Sequence, residues 1–322
     1  MPPPEVVPFA EEHVEAAGEL LAARHRRQRA AEPLLPERFE DPTEAAGEIA
    51  RVGAAAGSSG ASAFRDGRLV GYLVGAPRSH PVWGDNVWVE LPGHAVEEAE
   101  DARDLYAVAA AGWVERGRTR HYVFVPASDG ALVESWFALG FGQQQVHAVR
   151  EIPEPRDAEL PERLEIRAPR MGELEALIEL DLALPVHHGG SPIFSTVPPQ
   201  SREASREEWV TTIAGDDDKI LIGALDGRPV ACWALLAFDE EGDDVALMRP
   251  EDACFLHFAV TLPEARGAGI GVALTDAAFA WARAEGYRTI VTDWRVANLL
   301  ASRFWPRRGF RTTFLRLYRH IP

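Results

Sequence analysis

Between residues 254 and 285 the chain passes from an apolar run through a glycine-rich stretch into a helical pattern. Cys254, Phe255, Leu256, Phe258, Ala259 and Val260 make the run; A-R-G-A-G-I-G-V-A-L follows at 265–274; an Ala/Leu-rich periodicity occupies 272–285. This pattern predicts strand, turn and helix. Gly286 stands where that helix should stop, 289–294 (T-I-V-T-D-W) reads as a strand, and the alternation over 312–318 reads as a final one. Upstream, amphipathic helices are expected over 10–29 and 171–182, each preceded by a short strand, at 6–7 and 164–166. D-G-R at 66–68 and again at 226–228, between Val/Leu-rich segments, predicts two hairpin turns.

The pattern repeats. D-G-A-L-V-E-S-W-F-A-L-G-F at 129–141 has the frame of N-L-L-A-S-R-F-W-P-R-R-G-F at 298–310: Trp136 matches Trp305, and Gly140 and Phe141 match Gly309 and Phe310, at an offset of 169. The offset runs forward to R-E-I-P at 150–153 and R-H-I-P at 319–322, and back to Gly117 and Gly286. Two copies of one domain are expected, over 1–153 and 164–322, with the proline- and charge-rich stretch 151–163 as the linker. Each copy alternates strands and helices in a mixed α/β arrangement.

At 322 residues the chain is long enough for two domains with real cores. Hydrophobic content of 46% and charged content of 26% are those of a globular protein. No apolar stretch approaches the ~20 residues of a membrane span, and the start lacks a basic signal-peptide region, so a cytoplasmic protein with no membrane partner is expected. Cys232 and Cys254 fit a reducing compartment and have no metal-ligand spacing, so no metal is expected. Arginine far outnumbers the single lysine, Lys219, as in proteins of GC-rich bacterial genomes. A net charge of −17 argues against nucleic acid as a partner. Residues 263–322 nevertheless hold ten arginines against four acids, so this stretch carries +6 and the remainder −23. A basic segment inside an acidic chain suits a polyanionic ligand; a solvated arginine face is the plainer reading.

A glycine-rich turn from strand to helix binds anions, because glycine backbone takes positive φ and the first helical N–H groups point outward at the positive dipole end. A dinucleotide fingerprint fails on spacing, since Val272 or Leu274 falls where its last glycine belongs, and a P-loop fails because Lys219 is far upstream. What remains is R-x-x-G-x-G, Arg266, Gly269 and Gly271, with a loop that merely turns the chain as the alternative. It resembles the acetyl-CoA loop of the GNAT superfamily of N-acetyltransferases, where backbone amides hold the CoA pyrophosphate. The downstream stretch resembles the second signature of that family, its slots filled by Asn298, Ala301, Trp305, Gly309 and Phe310.

The resemblance implies two tandem GNAT-like domains, each a predominantly antiparallel sheet with flanking helices. It implies that backbone groups of Phe258, Ala259 and Val260 pair with the pantetheine arm, which enters where this strand splays from 289–294. Arg266, Gly267, Ala268, Gly269, Ile270 and Gly271 would hold the pyrophosphate, and Asn298 would face the cofactor. In the first copy the loop positions fall on Glu97, Glu100 and Ala102, within V-E-E-A-E-D. Unit charges about 4 Å apart repel by about 1 kcal/mol even in water, so a pyrophosphate is excluded there and the copy is degenerate. Its acids suit a helix N-terminus.

The catalytic groups are where the chain departs from the family. Trp305 stands at the position where many members carry the tyrosine that protonates the leaving thiolate, and an indole N–H is a poor acid. Tyr318 or a water are substitutes. For the base, Cys254 aligns with the strand position that often carries Glu or His, while His257 falls on the opposite face of a regular strand unless a bulge intervenes. Both also read as ordinary packed residues, and proximity alone suffices for an amine that arrives neutral. The loop 185–200, with His187 and His188, is the expected acceptor-binding element; two histidines without a third ligand do not make a metal site. The acidic stretches 216–218 and 239–244 are expected to attract a cationic amine or to be solvated turns.

The leading expectation is an acetyl-CoA-dependent N-acetyltransferase, active in 164–322, that moves acetyl directly to the amine of a small molecule or peptide, as a monomer or homodimer. The alternative is a catalytically inactive CoA-binding or structural interaction protein of the same fold. A longer acyl-CoA donor is a third reading.

Overall fold

The computed structural model describes residues 3–80, 83–154, 160–195, 200–215, 219–237 and 243–322, and every structural statement concerns these. The loop tip 196–199, the acidic stretch 216–218 and all but the end of 239–244 lie outside them. The chain forms two compact units that are discontinuous in sequence. Unit 1 comprises Met1–His147, Glu241–Glu251 and Thr312–Pro322; unit 2 comprises Ala148–Glu240 and Asp252–Arg311.

Unit 1 runs β1 (Glu5–Pro8), α1 (Val14–Ala31), α2 (Pro42–Ala54), β2 (Ser59–Arg65), β3 (Arg68–His80), β4 (Gly84–Val89), β5 (His94–Val96), α3 (Asp101–Glu115), β6 (Arg120–Pro126), α4 (Gly130–Ala138) and the first part of β7 (Gly142–Glu151). Unit 2 runs from the end of β7 through β8 (Leu164–Arg167), α5 (Leu174–Gly189), α6 (Arg202–Ala214), β9 (Ile220–Leu225), β10 (Arg228–Ala237), β11 (Ala253–Thr261), α7 (Ile270–Ala284), β12 (Thr289–Arg295) and α8 (Leu299–Phe304). The last strand, β13 (Arg311–His320), counts with unit 1, between β6 and β7. Phe314 on β13 is fully buried there, as are Leu21, Ile49 and Tyr72. Most strand pairs are antiparallel; β4 with β6 and β11 with β12 are parallel. No helix among the described residues is long and apolar enough to cross a membrane.

Local chemistry explains the element ends. Asp66 and Asp226, with φ 51° and 53°, and the glycines after them, at 75° and 80°, make the two hairpin turns. Helix α7 ends in a Schellman motif, Gly286 N–H on Arg283 O at 3.0 Å and Tyr287 N–H on Ala282 O at 2.9 Å. Helix α3 ends identically, Gly117 on Val114 at 2.8 Å and Arg118 on Trp113 at 3.0 Å. Asp129 caps α4 through Leu132 N at 3.0 Å, as Asn298 caps α8 through Ala301 N at 3.3 Å. The two stops, and likewise the two caps, are 169 residues apart.

The start of α3 differs from that of α7. Asp101, 2% exposed, pairs with Arg65, Glu97 with Arg68, and Glu100 with Arg103. The carboxylates of V-E-E-A-E-D thus have internal cationic partners. One expectation changes in α5: the helix does not end at 182 but continues through Pro185 to Gly189. A proline costs an interior helix about 3 kcal/mol, but the turn it disturbs is held from outside, Ser195 N–H on His188 O at 2.8 Å and Asn298 beside both histidines.

Two buried histidines in unit 1 give the stability a defined acid limb. His25 and His94 each place Nε2 2.7 Å from a carbonyl, of Pro36 and Phe124, where the N–H donates. Burial lowers their pKa values to about 4 and about 3. Unfolded histidine takes its proton near pH 6.5, so the unfolded chain binds more protons than the folded one between there and pH 4. Stability is present above that window and falls as pH drops through it, by up to about 1.4 kcal/mol per pH unit per histidine. Urea unfolding across pH 7 to 4 should show this, and His94→Gln should remove about one proton from the slope.

Candidate active site

The site rests on the second half of β11. Its ladder with β10 shifts once: Ala234 faces Phe258 and Leu235 faces Leu256, which leaves His257 as the extra residue of a β-bulge. On its other edge β11 pairs with β12 only from Ala253↔Thr289 to Leu256↔Thr292. Thr292 Oγ1 donates to the Leu256 carbonyl at 2.9 Å where that ladder stops. Both strands continue, to Thr261 and Arg295, but no longer as partners. Backbone groups along the parted edge need water or a ligand, and an extended molecule can add there as a strand.

The turn after β11 supplies the second half of the site. Gly267 and Gly269 have φ +83° and +80°, and Gly269 is the N-cap of α7. No side chain caps this helix, so its first N–H groups and positive dipole end are available to an anion. Gly271 differs: it is already helical, and a Cβ there would lie 3.5 Å from the Phe304 and Trp233 rings. Those are ordinary van der Waals distances, so a small side chain fits there.

Edge and turn open on one groove of about 440 Å³. Of the expected cofactor residues, Ala259, Val260, Arg266, Gly267, Gly269, Ile270, Gly271 and Asn298 line it. Phe258 packs against the core cluster of α5 and α6, and Ala268 is not in the lining. Arg266 is exposed, its Nε donating to Thr261 O at 3.0 Å. The walls are apolar: Leu184, Trp233, Val260, Leu300, Phe304 and Trp305. Trp305 is 5% exposed, edge-on to Phe310 at 5.3 Å, as Trp136 is to Phe141 at 4.9 Å. It is a packing residue in both places.

The expected catalytic side chains are not gathered here. Cys254 is fully buried, its Sγ 3.9 Å from Thr289 O, and burial pushes its thiol up to about 12. His257 is exposed, on the face of Phe255, whose ring is 6.2 Å away, and is not a lining residue. Tyr318 counts with unit 1, its ring 4.8 Å from Tyr122. The groove instead holds His187, from the last turn of α5, with Nε2 3.2 Å from Asn298 Oδ1. His188 Nε2 lies 3.5 Å from Asn298 Nδ2, and burial, then Arg295, lowers its pKa to about 4. The pairing of His187 with Asn298 joins residues 111 apart, which local sequence reading does not reveal. Among the described residues no group of three or more His, Cys, Asp or Glu is placed to hold a metal ion.

A strand parted from its neighbour, followed by a glycine turn into an uncapped helix, leaves an open backbone edge beside an open helix N-terminus. The sequence model of the acetyltransferase (GNAT) family matches residues 187–310. A GCN5-related N-acetyltransferase of Sphaerobacter thermophilus superposes with a TM-score of 0.60 at 15% identity, over 99% of this chain and 97% of that one. The glucosamine N-acetyltransferase region of a fungal multi-domain GH3 beta-N-acetylglucosaminidase gives 0.56 at 14% identity, over 99% of this chain and 38% of that one. A tandem GNAT protein of the clavulanic acid biosynthesis pathway gives 0.51 at 16% identity, over 98% of each chain. No curated protein sequence matches the chain. The chain has the GNAT fold.

The left-handed turn has a measurable cost. Gly269→Ala puts a Cβ on backbone at φ +80°, with Pro161 3.5 Å away, and should lower the unfolding free energy by about 1–2 kcal/mol. Urea unfolding of the variant checks this; no loss of stability would contradict the left-handed assignment.

Proposed function

We propose that the protein is an acetyl-CoA-dependent N-acetyltransferase that moves acetyl directly from the thioester to the amine of a small molecule or peptide, in the cytoplasm and without a metal. Residues 164–322 form the acetyl-CoA-binding domain and 1–153 a degenerate copy of it. The observation that carries this reading is the convergence of the parted edge of β11 and the uncapped N-terminus of α7 on one apolar groove. The edge suits the amide-bearing pantetheine arm, the turn suits the pyrophosphate, and the apolar walls keep water from the thioester. The matching caps at α3 and α7, and at α4 and α8, support the duplication. The carboxylates and their arginine partners at the start of α3 support the loss of a phosphate site in the first copy.

Direct transfer asks the protein for orientation, for donors at the developing oxyanion and for proton movement. A CoA-binding protein without catalysis is the second reading, favoured by one observation: the buried Trp305 leaves no hydroxyl at the family's usual acid position.

Calorimetric titration should show acetyl-CoA binding to the wild type. In Gly269→Glu a carboxylate set beside the pyrophosphate should weaken binding about tenfold or more, the equivalent of ~1.4 kcal/mol. Equal affinity in the variant would remove the turn from the site. A panel of amines followed by thiol release then separates the readings: transfer to any acceptor supports the enzyme, and binding without CoA release supports the second reading.

A further inference from the structure

Three contacts meet at the Asn298 amide and determine which nitrogens of the neighbouring histidines carry hydrogen. The Ala301 backbone N–H is an obligatory donor, so the atom 3.3 Å from it is the amide oxygen, and the orientation of Asn298 is set. His187 Nε2, 3.2 Å from the same oxygen, must then carry the hydrogen of that bond. Neutral imidazole has one N–H, so the lone pair of His187 is on Nδ1. The amide nitrogen is a donor, so His188 Nε2, at 3.5 Å, accepts and its hydrogen is on Nδ1. One amide thereby holds two histidines in opposite tautomers.

From this geometry we propose that His187 is the general base of the transfer, working through Nδ1, and that Asn298 is its positioning residue. The assignment rests on the proposed acetyl transfer. Among the described residues lining the groove, His187 is the one side chain with the chemistry of a general base. The groups around the pair are Arg266 at the groove, His188 on the same helix, and Asp293 and Arg295 of β12 beside His188. Burial keeps His188 neutral, as its acceptor role requires.

The step balances as follows. The acceptor ammonium gives one proton to His187 Nδ1, and the freed amine attacks the thioester carbonyl carbon. The C–N bond forms and the C–S bond breaks, with CoA leaving as thiolate. The second proton of the attacking nitrogen passes to the thiolate, giving acetamide and thiol, and the imidazolium returns its proton to solvent.

The kinetic test measures kcat against pH for wild type and His187→Gln, with acetyl-CoA affinity followed by calorimetry in both. The expected result is retained acetyl-CoA binding, a fall in kcat of about 10²–10⁴-fold that exceeds any change in affinity, and disappearance of the acid limb due to the base. Added imidazole should restore part of the rate in His187→Gly. A His187→Gln enzyme with wild-type kcat and the same pH profile would overturn the assignment while leaving acetyl transfer standing; a wild type that binds no acetyl-CoA would remove the proposed function itself. Long-range proton–nitrogen NMR of the wild type needs no acceptor: Nε2–H on His187 and Nδ1–H on His188 are expected, and Nδ1–H on His187 would refute the proposal.

Discussion

The site depends on strand β11 serving two neighbours that want different things from it. Up to Leu256 it is sandwiched between β10 and β12; past that residue it keeps β10 and releases β12. The bulge at His257 marks the change and adds local twist, while the Thr292 hydroxyl closes the ladder on the Leu256 carbonyl. A strand that stayed paired along its whole length would leave no free backbone to meet an extended ligand. The groove, the packing of Phe304 and Trp233 around it, and the direction in which α7 presents its N-terminus all follow from that parting.

The two units show how one local frame carries different fates. Caps and stops 169 residues apart keep the same hydrogen bonds, because a Schellman glycine and an Asn or Asp N-cap act within a few residues and are indifferent to the surroundings. The helix starts differ. Helix α7 begins on left-handed glycine with nothing capping it; α3 begins among carboxylates neutralised by Arg65 and Arg68.

Around the groove, polar chemistry is concentrated rather than spread. The residues that sequence logic put forward for proton transfer serve packing or lie elsewhere: Cys254 as a buried hydrophobe, Tyr318 against Tyr122, His257 exposed and outside the groove lining. The continuation of α5 through Pro185 carries His187 to the groove instead. Asn298 therefore has two tasks, starting α8 and holding the histidines, and both use the same carbonyl oxygen.

Much of this molecule was legible in the linear chain. The glycine turn, the stop at Gly286 and the hairpins at Asp66 and Asp226 all depend on interactions within a few residues, and their residue types have few other uses. Tertiary structure alone decided the bulge at His257, the assignment of the last strand to unit 1, the helical turn that continues past a proline, and the meeting of His187 with Asn298 across 111 residues. These outcomes turn on which distant segment satisfies a backbone or side-chain polar group. Hydrophobic period and propensity are properties of neighbours along the chain, whereas a ladder's end, a proline tolerated in a helix and a histidine's tautomer are settled by partners that only folding brings within reach.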